Sequence, residues 1–447
     1  MSVVIESLDQ EGRGIARVDG KAVFVEGALP GERVALETLK RKPAYEIARV
    51  TRIEDANPGR VKPRCPHFGV CGGCSLQHAD VTLQLAAKQR VMEDALERIG
   101  RVRPGMLLAP IAGPAWGYRH RARLSVRDVP KKGGVLVGFH ERKSSYVADM
   151  RECHVIPPKV GRLLPALRSL VGSLSIRTRL PQIELAVGER LQRHEGQAAP
   201  DLVYVLVLRV LEPPSREDET RLVAFADAHG VEFWLQPKGP DSVAPFHPAN
   251  SSLAYTLPEF DLAIPFEPTD FTQVNAVVNR VLVRRAVTLL AAADGERVVD
   301  FFCGLGNFTL PIARSGALVT GVDGNEALVR RAQRNAERNG LGQRTTFRTA
   351  NLFDATPESL SSLGPFSRAL IDPPREGAVE VCKALPPAGT PDAPRRIVYV
   401  SCNPATLARD AGVLVHDRGF ELVAAGAVNM FPHTAHVESV AVFDAAG

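Results

Sequence analysis

The chain has 447 residues, 45% of them hydrophobic and 23% charged, and a formal net charge of +5. It is too long for one hydrophobic core and too ordinary in composition for a disordered or fibrous protein. No run of about 18 apolar residues is present to span a bilayer. The opening Met1-Ser2-Val3-Val4-Ile5-Glu6 lacks the basic stretch and apolar core of a secretory signal. A cytoplasmic protein without membrane contact is expected. Its seven cysteines then point to metal ligands or reactive thiols rather than disulfides.

Residues 2–56 carry five short strand-like runs: Val3-Val4-Ile5, Gly14–Val18, Ala22–Val25, Glu32–Leu36 and Ala44–Val50. Asp19-Gly20 and Pro30-Gly31 punctuate them as turns. Five strands in so few residues suggest a small closed barrel of the oligonucleotide-binding kind. Gly12-Arg13-Gly14-Ile15-Ala16 and Leu29-Pro30-Gly31-Glu32-Arg33-Val34 resemble a TRAM domain, an RNA-binding barrel.

Next come Cys65, Cys71 and Cys74 in the spacing C-x5-C-x2-C, with Cys153 far downstream. Gly72 and Gly73 allow the backbone to wrap closely around a ligand. Four thiolates suit zinc or an iron–sulfur cluster. Structural zinc usually takes two close pairs, so three plus one favours [4Fe–4S]. His67 and His78 are possible further ligands but are expected at the surface. The spacing of Leu85, Val91, Ala95 and Ile99 predicts an amphipathic helix over 84–99, stopped at Gly100.

The charge is clustered. Residues 84–145 hold 13 Lys/Arg against 5 Asp/Glu, densest at Tyr118-Arg119-His120-Arg121-Ala122-Arg123 and followed by Arg127, Lys131 and Lys132. Such a stretch suits a phosphate backbone with unstacked bases, or is simply a solvated basic face. Alternating runs at 121–126, 135–139 and 202–208 predict a mixed α+β middle domain over 59–258, after a barrel over 1–58.

From about Phe260 the pattern becomes strand–turn–helix–strand, the opening of a doubly wound sheet over 259–447. Val298–Cys303 is a strand, Gly304-Leu305-Gly306-Asn307 a glycine turn, and Ala317–Val322 a second strand ending at Asp323. Asp323 lies where an acid binds the ribose of an adenosine cofactor. The missing third glycine departs from a nicotinamide fingerprint, and a packing turn is the other reading. Asn351, Asp372 and Cys402 stand at the ends of later strands, so all three are expected at one cleft. Cys402 follows Arg395–Val400 and precedes Asn403-Pro404, which bends the chain away; a small buried hydrophobe is the alternative. Glu438 sits before the apolar run Val440–Phe443, as a candidate general base or a salt-bridged surface acid.

Asp300–Pro311, Phe271-Thr272-Gln273-Val274-Asn275, Ile371–Arg375, Ser401–Pro404 and Phe431–Glu438 together resemble the RNA uracil-C5 methyltransferase family, in the family's order. The barrel and the four cysteines look most like the branch that acts on 23S ribosomal RNA. The resemblance implies a Rossmann-like α/β domain using S-adenosylmethionine. It implies a [4Fe–4S] cluster on Cys65, Cys71, Cys74 and Cys153, and a cofactor site of Gln273, Phe302, Asn307, Asp323, Asn351 and Asp372. Cys402 is then the nucleophile that adds to uracil C6, and Glu438 the base that removes the C5 proton. The partner implied is 23S rRNA, as a single-stranded or loop segment, met by a monomer. Another RNA substrate, a non-catalytic iron–sulfur RNA-binding protein and a nicotinamide oxidoreductase are the competing readings.

Overall fold

The computed structural model describes residues 2–190 and 201–445. Alternating burial in the first fifty residues builds the first sheet. Its strands are β1 (Ser2–Val4), β2 (Ser7–Leu8), β3 (Gly14–Val18), β4 (Lys21–Glu26), β5 (Arg33–Arg41) and β6 (Tyr45–Asp55). The order β1-β5-β6-β4-β3-β2 puts two consecutive pieces of one segment at its two edges, so the sheet closes on itself. Val3, Ile5, Ala16, Val23, Val25, Val34 and Ala48 fill the inside. All five expected strands are present. At Asp19-Gly20 both residues take positive φ, 50° and 80°, as a two-residue hairpin turn requires.

Helix α1 (Val81–Ala95) follows the cysteine loop, with Asp80 as N-cap accepting from the Leu83 amide at 2.7 Å. Its inward face differs from the expected one. Gln84, Lys88, Met92 and Ala95 are buried, whereas Ile99 is 51% exposed. Polar groups of the segment 427–433 meet Gln84, Lys88 and Gln89 there. Hydrogen bonding across the contact therefore outweighs the weak apolar periodicity of this helix. Strand β7 (Met106–Leu107) then joins the third sheet.

The middle sheet comprises β8 (Arg121–Val129), β9 (Gly134–Gly138), β10 (Gln182–Glu189), β11 (Leu202–Arg209), β12 (Glu232–Gln236), β13 (Ala244–His247), β14 (Leu253–Leu257) and β15 (Leu262–Phe266). Its path is β13-β12-β11-β10-β14-β15, with β8 on β10 and β9 on β8. Helices Leu164–Ser173 and Arg216–His229 share its core. The β14–β15 hairpin joins β10 through Glu189 and Ala254, so this sheet extends to Phe266.

The third sheet holds β16 (Arg297–Phe301), β17 (Leu318–Asp323), β18 (Thr345–Thr349), β19 (Arg368–Ile371), β20 (Arg396–Ser401), β21 (Phe420–Val428) and β22 (Glu438–Ala445), in the order β18-β17-β16-β19-β20-β22-β21-β7. The first five strands in that order are parallel, and β22 runs antiparallel to β20. This is the expected doubly wound α/β domain, covered on both faces by separate cores. Residues of helix Ala276–Leu290 pack into one core. Residues of helix Pro404–Gly412 and of α1 pack into the other. The strand reversal matters for the site. The edge where β17, β19 and β20 end is the edge where β22 begins, so Glu438 joins the strand-end residues there. No helix among the described residues is long and apolar enough to cross a membrane.

Candidate active site

One cavity of about 480 Å³ lies along that edge. Gln273, Phe302, Asn307, Asp323, Asn351, Asp372, Cys402 and Glu438 all line it. The eight residues singled out from the sequence therefore share one cleft, as the carboxyl edge of a doubly wound sheet dictates.

The glycine turn shapes one end. Gly304 and Gly306 take φ of +53° and +91°, and Phe302 between strand and turn takes +64°. A phenylalanine held in the left-handed region marks local strain at a site. The Gly304 amide donates to Asp323 Oδ2 at 3.0 Å, so the acid that ends β17 is tied to the turn that follows β16. Asn307 is less free than its sequence position suggests. It exchanges two amide hydrogen bonds with Asn279, at 2.9 and 3.1 Å, and accepts from the Tyr255 hydroxyl at 3.1 Å. Asn351 caps the short turn after β18 and donates to Asp354.

The other end is acidic, and Cys402 is half-buried in it. Asn403 caps the following helix by accepting from the Ala405 amide at 3.0 Å, with Pro404 in its first turn. Burial, then Glu438 and Asp372, push the Cys402 thiol up to about 11, against the pull of Arg375. Burial, then Asp372, raises Glu438 to about 8, against the pull of Lys88. Burial, then Asp300, raises Asp372 to about 8. Asp372 disfavours the ionisation of Glu438, and both disfavour that of Cys402. The resting site holds the thiol protonated at neutral pH.

Several site residues had no prior signal. Arg375, Phe431 and His436 line the cavity; they lay inside recognisable motifs but carried no chemistry of their own there. Asn279, Tyr255 and Lys88 stand on other elements and meet the site only through tertiary packing. Cys303 and Cys382 are buried, and Cys303 also lines the cavity.

Cys65, Cys71, Cys74 and Cys153 line a second cavity, in the middle domain, with Gly73, Gln77 and Met150. Burial raises all four thiols, and neighbouring cysteines raise Cys71, Cys74 and Cys153 further. Among the described residues, however, no three His, Cys, Asp or Glu side chains stand in a geometry that would hold a metal ion. His67 accepts from the Arg151 amide at 3.1 Å. His78, expected at the surface, is 6% exposed and beside Phe68.

The basic stretch needs a correction. Tyr118 is buried and its hydroxyl donates to Pro432 O at 2.9 Å; Arg121 donates to Pro268 O; the His120 amide donates to Val274 O at 2.8 Å. This densest part is a seam that joins the middle sheet to the third. Arg123, Arg127, Lys131 and Lys132 are exposed, as are Arg90, Arg98, Arg101, Arg103 and Lys143 elsewhere in the stretch.

Comparison with known proteins agrees with the fold and the cleft. A family profile described as tRNA (Uracil-5-)-methyltransferase matches residues 261–445, and one described as TRAM domain matches residues 1–51. The "23S rRNA (uracil(1939)-C(5))-methyltransferase RlmD" of Azoarcus sp. (strain BH72) is 62% identical, over 99% of both chains. The protein of the same name from Cupriavidus metallidurans is 59% identical, over 99% of this chain and 94% of its own. The crystal structure of Pyrococcus abyssi tRNA (uracil-54, C5)-methyltransferase in complex with S-adenosyl-L-homocysteine superposes with a TM-score of 0.71. It is 25% identical and covers 99% of each chain. With a cysteine and a carboxylate facing an adenosine-type turn across one cleft, and full-length likeness of this degree, the chain belongs to the RNA uracil-C5 methyltransferase family.

Proposed function

We propose that the protein transfers a methyl group from S-adenosylmethionine to C5 of a uridine in 23S ribosomal RNA. The observation that carries this is the shared cavity: Cys402 and Glu438 at one end, Asp323 and Asn307 at the other. Full-length relatives named for 23S rRNA favour that RNA over tRNA.

C5 of uracil is a poor nucleophile until something adds at C6. Cys402, once its thiol has given up its proton to solvent, adds there as the thiolate, leaving an enolate whose C5 is nucleophilic. S-adenosylmethionine, when bound, supplies the electrophilic methyl. Asp323 is placed to accept from its ribose hydroxyls. Phe302, Gln273, Asn307, Asn351 and Asp372 complete the walls. Glu438 then takes the C5 proton, the electrons of that bond re-form C5=C6, and the C6–S bond breaks with its pair on Cys402. A carboxylate held near neutrality suits proton transfer, because its two forms are close in energy. Phe271, Phe353 and Phe431 give the cavity apolar walls, the first two of them exposed to solvent.

The base must leave its stack to reach such a cavity. In our reading the TRAM-type barrel and the exposed basic residues of the middle domain hold a single-stranded or looped RNA segment meanwhile. Cys65, Cys71, Cys74 and Cys153 hold a [4Fe–4S] cluster that ties the cysteine loop to the middle sheet, with no part in methyl transfer. Four cysteines spread around one cavity suit a cluster with its own width better than a single ion, whose donors must converge on one point.

Incubation with 5-fluorouridine-substituted 23S RNA and S-adenosylmethionine tests the activity. A denaturation-resistant protein–RNA species is expected with the wild type and absent with Cys402→Ala. Normal RNA binding without that species, on 23S RNA and tRNA alike, would refute the methyl-transfer reading; a species on tRNA alone would move the substrate. Iron and sulfide content of anaerobically purified protein tests the cluster: wild type is expected to carry both, and Cys74→Ser neither.

A further inference from the structure

We propose that Lys88 is the positioning residue that keeps Glu438 able to take the C5 proton, by clasping the loop that leads to it and, while protonated, opposing the charge of Asp372. This rests on the reading of Glu438 as the base. Lys88 belongs to α1, outside the sheet that carries the site, and is 2% exposed. Its Nζ donates to Asn429 Oδ1 at 2.7 Å and to Phe431 O at 2.8 Å. Both acceptors lie on the segment between β21 and Glu438. Two neighbouring α1 residues hold the same segment: Gln84 Oε1 accepts from the His433 amide at 2.7 Å, and Gln89 Oε1 from the Ala427 amide at 2.9 Å.

Burying an ammonium is costly unless a counter-charge is near. Burial lowers Lys88 to about 7, and the carboxylate whose charge pulls it back up is that of Glu438. Glu438 in turn is 4% exposed, and its Oε2 has no hydrogen-bond partner among the described residues. Asp372 opposes its ionisation from the cavity, where Cys402 also lies. Arg375 lies in the cavity and acts on Cys402. His433 and His436, near Lys88, are held neutral by burial, at about 4. Lys88 is therefore the cation that acts on Glu438 against Asp372. When the C5–H bond breaks and Glu438 accepts the proton, Lys88 is left without its counter-charge, so onward loss of that proton to solvent is favoured and the base is reset.

The test separates methyl transfer from proton loss, using 23S RNA tritiated at uracil C5 and methyl-labelled S-adenosylmethionine. Lys88→Gln keeps a donor for Phe431 O but removes the charge. It is expected to methylate yet release tritium at least about tenfold more slowly at neutral pH. Methylated covalent adduct should accumulate, and the alkaline-rising limb of the release profile should move up by about one unit. Lys88→Arg should keep most of the release. If Lys88→Gln cannot bind S-adenosylmethionine, Asn429→Asp serves instead: it gives Lys88 a competing counter-charge and should shift the limb the same way. Wild-type release profiles in the variants that fold would overturn the proposal. Glu438→Gln distinguishes the two failures. If it traps adduct while the Lys88 and Asn429 variants do not, only the role of Lys88 falls. If Glu438→Gln itself releases tritium normally, Glu438 is not the base.

Discussion

Cys402 and Glu438 are the next residues out from Ser401 and Ser439, the last pair in the antiparallel register of β20 and β22. The proposed nucleophile and base are thus set opposite one another by a sheet register. Their relationship is as rigid as the ladder that ends beside them, because residues directly across an antiparallel pair are held at nearly fixed separation.

That opposition has a consequence for the thiol. With burial and two carboxyl neighbours holding Cys402 up to about 11, its alkylation by iodoacetamide in the free enzyme should accelerate only well above neutral pH. Glu438→Gln removes one source of negative charge, so the midpoint should fall, most visibly above the pH of about 8 where Glu438 ionises. Cys402→Ala identifies the signal. An unchanged midpoint in Glu438→Gln would mean that the facing pair is not electrostatically coupled.

Asp300, at the base of the cofactor turn, predicts a pH-dependent stability. It is fully buried, accepts from Thr309 Oγ1 at 2.5 Å, and burial raises it to about 7. A carboxyl raised above its unfolded value binds more protons folded than unfolded. Stability is then lost as pH rises from the unfolded value of about 4 to the folded value, and is level beyond. Asp300→Asn should therefore gain on the wild type in urea unfolding across that window, by more than about 1 kcal/mol, and the gain should stop growing above pH 7 or so. A pH-independent difference would rule out the titration of Asp300 as its source.

The Asn307 side chain is fixed by Asn279 and Tyr255, two residues on other elements. Asn279→Ala leaves Asn307 with unsatisfied amide groups at the cofactor end of the cavity. Affinity for S-adenosylmethionine should drop by about tenfold, equivalent to roughly 1.4 kcal/mol, with RNA affinity unchanged. Calorimetry with each ligand checks both halves.

Tyr118 tests the seam between the middle and third sheets. Its buried hydroxyl donates to Pro432 O, next to His433, which stacks on Trp116 with ring centroids 3.8 Å apart. Tyr118→Phe leaves that carbonyl unpaired, at a cost of about 1–3 kcal/mol. A fall in thermal midpoint is expected, and turnover should slow because the loop that leads to Glu438 is loosened. A stable variant with wild-type turnover would show that the seam does not reach the site.

The chemistry-bearing positions were legible in the sequence because strand ends are. Apolar runs closed by a glycine turn, an Asp, an Asp-Pro or a Cys-Asn-Pro announce both the sheet and the residues at its carboxyl edge. That local grammar was enough to place Asp323, Asp372 and Cys402 in one cleft. What it could not carry were decisions made by contacts distant in sequence. The apolar spacing of α1 pointed to Leu85, Val91, Ala95 and Ile99. The helix turns Gln84 and Lys88 inward instead, because their partners, Asn429, Phe431 and His433, lie more than three hundred residues away. The basic run at Tyr118–Arg123 read as an RNA face, and half of it is spent joining two sheets. Periodicity reports how a segment partitions between water and an apolar interior. It is silent on which buried polar groups will find each other, and here those pairings decide how the loop leading to Glu438 is held.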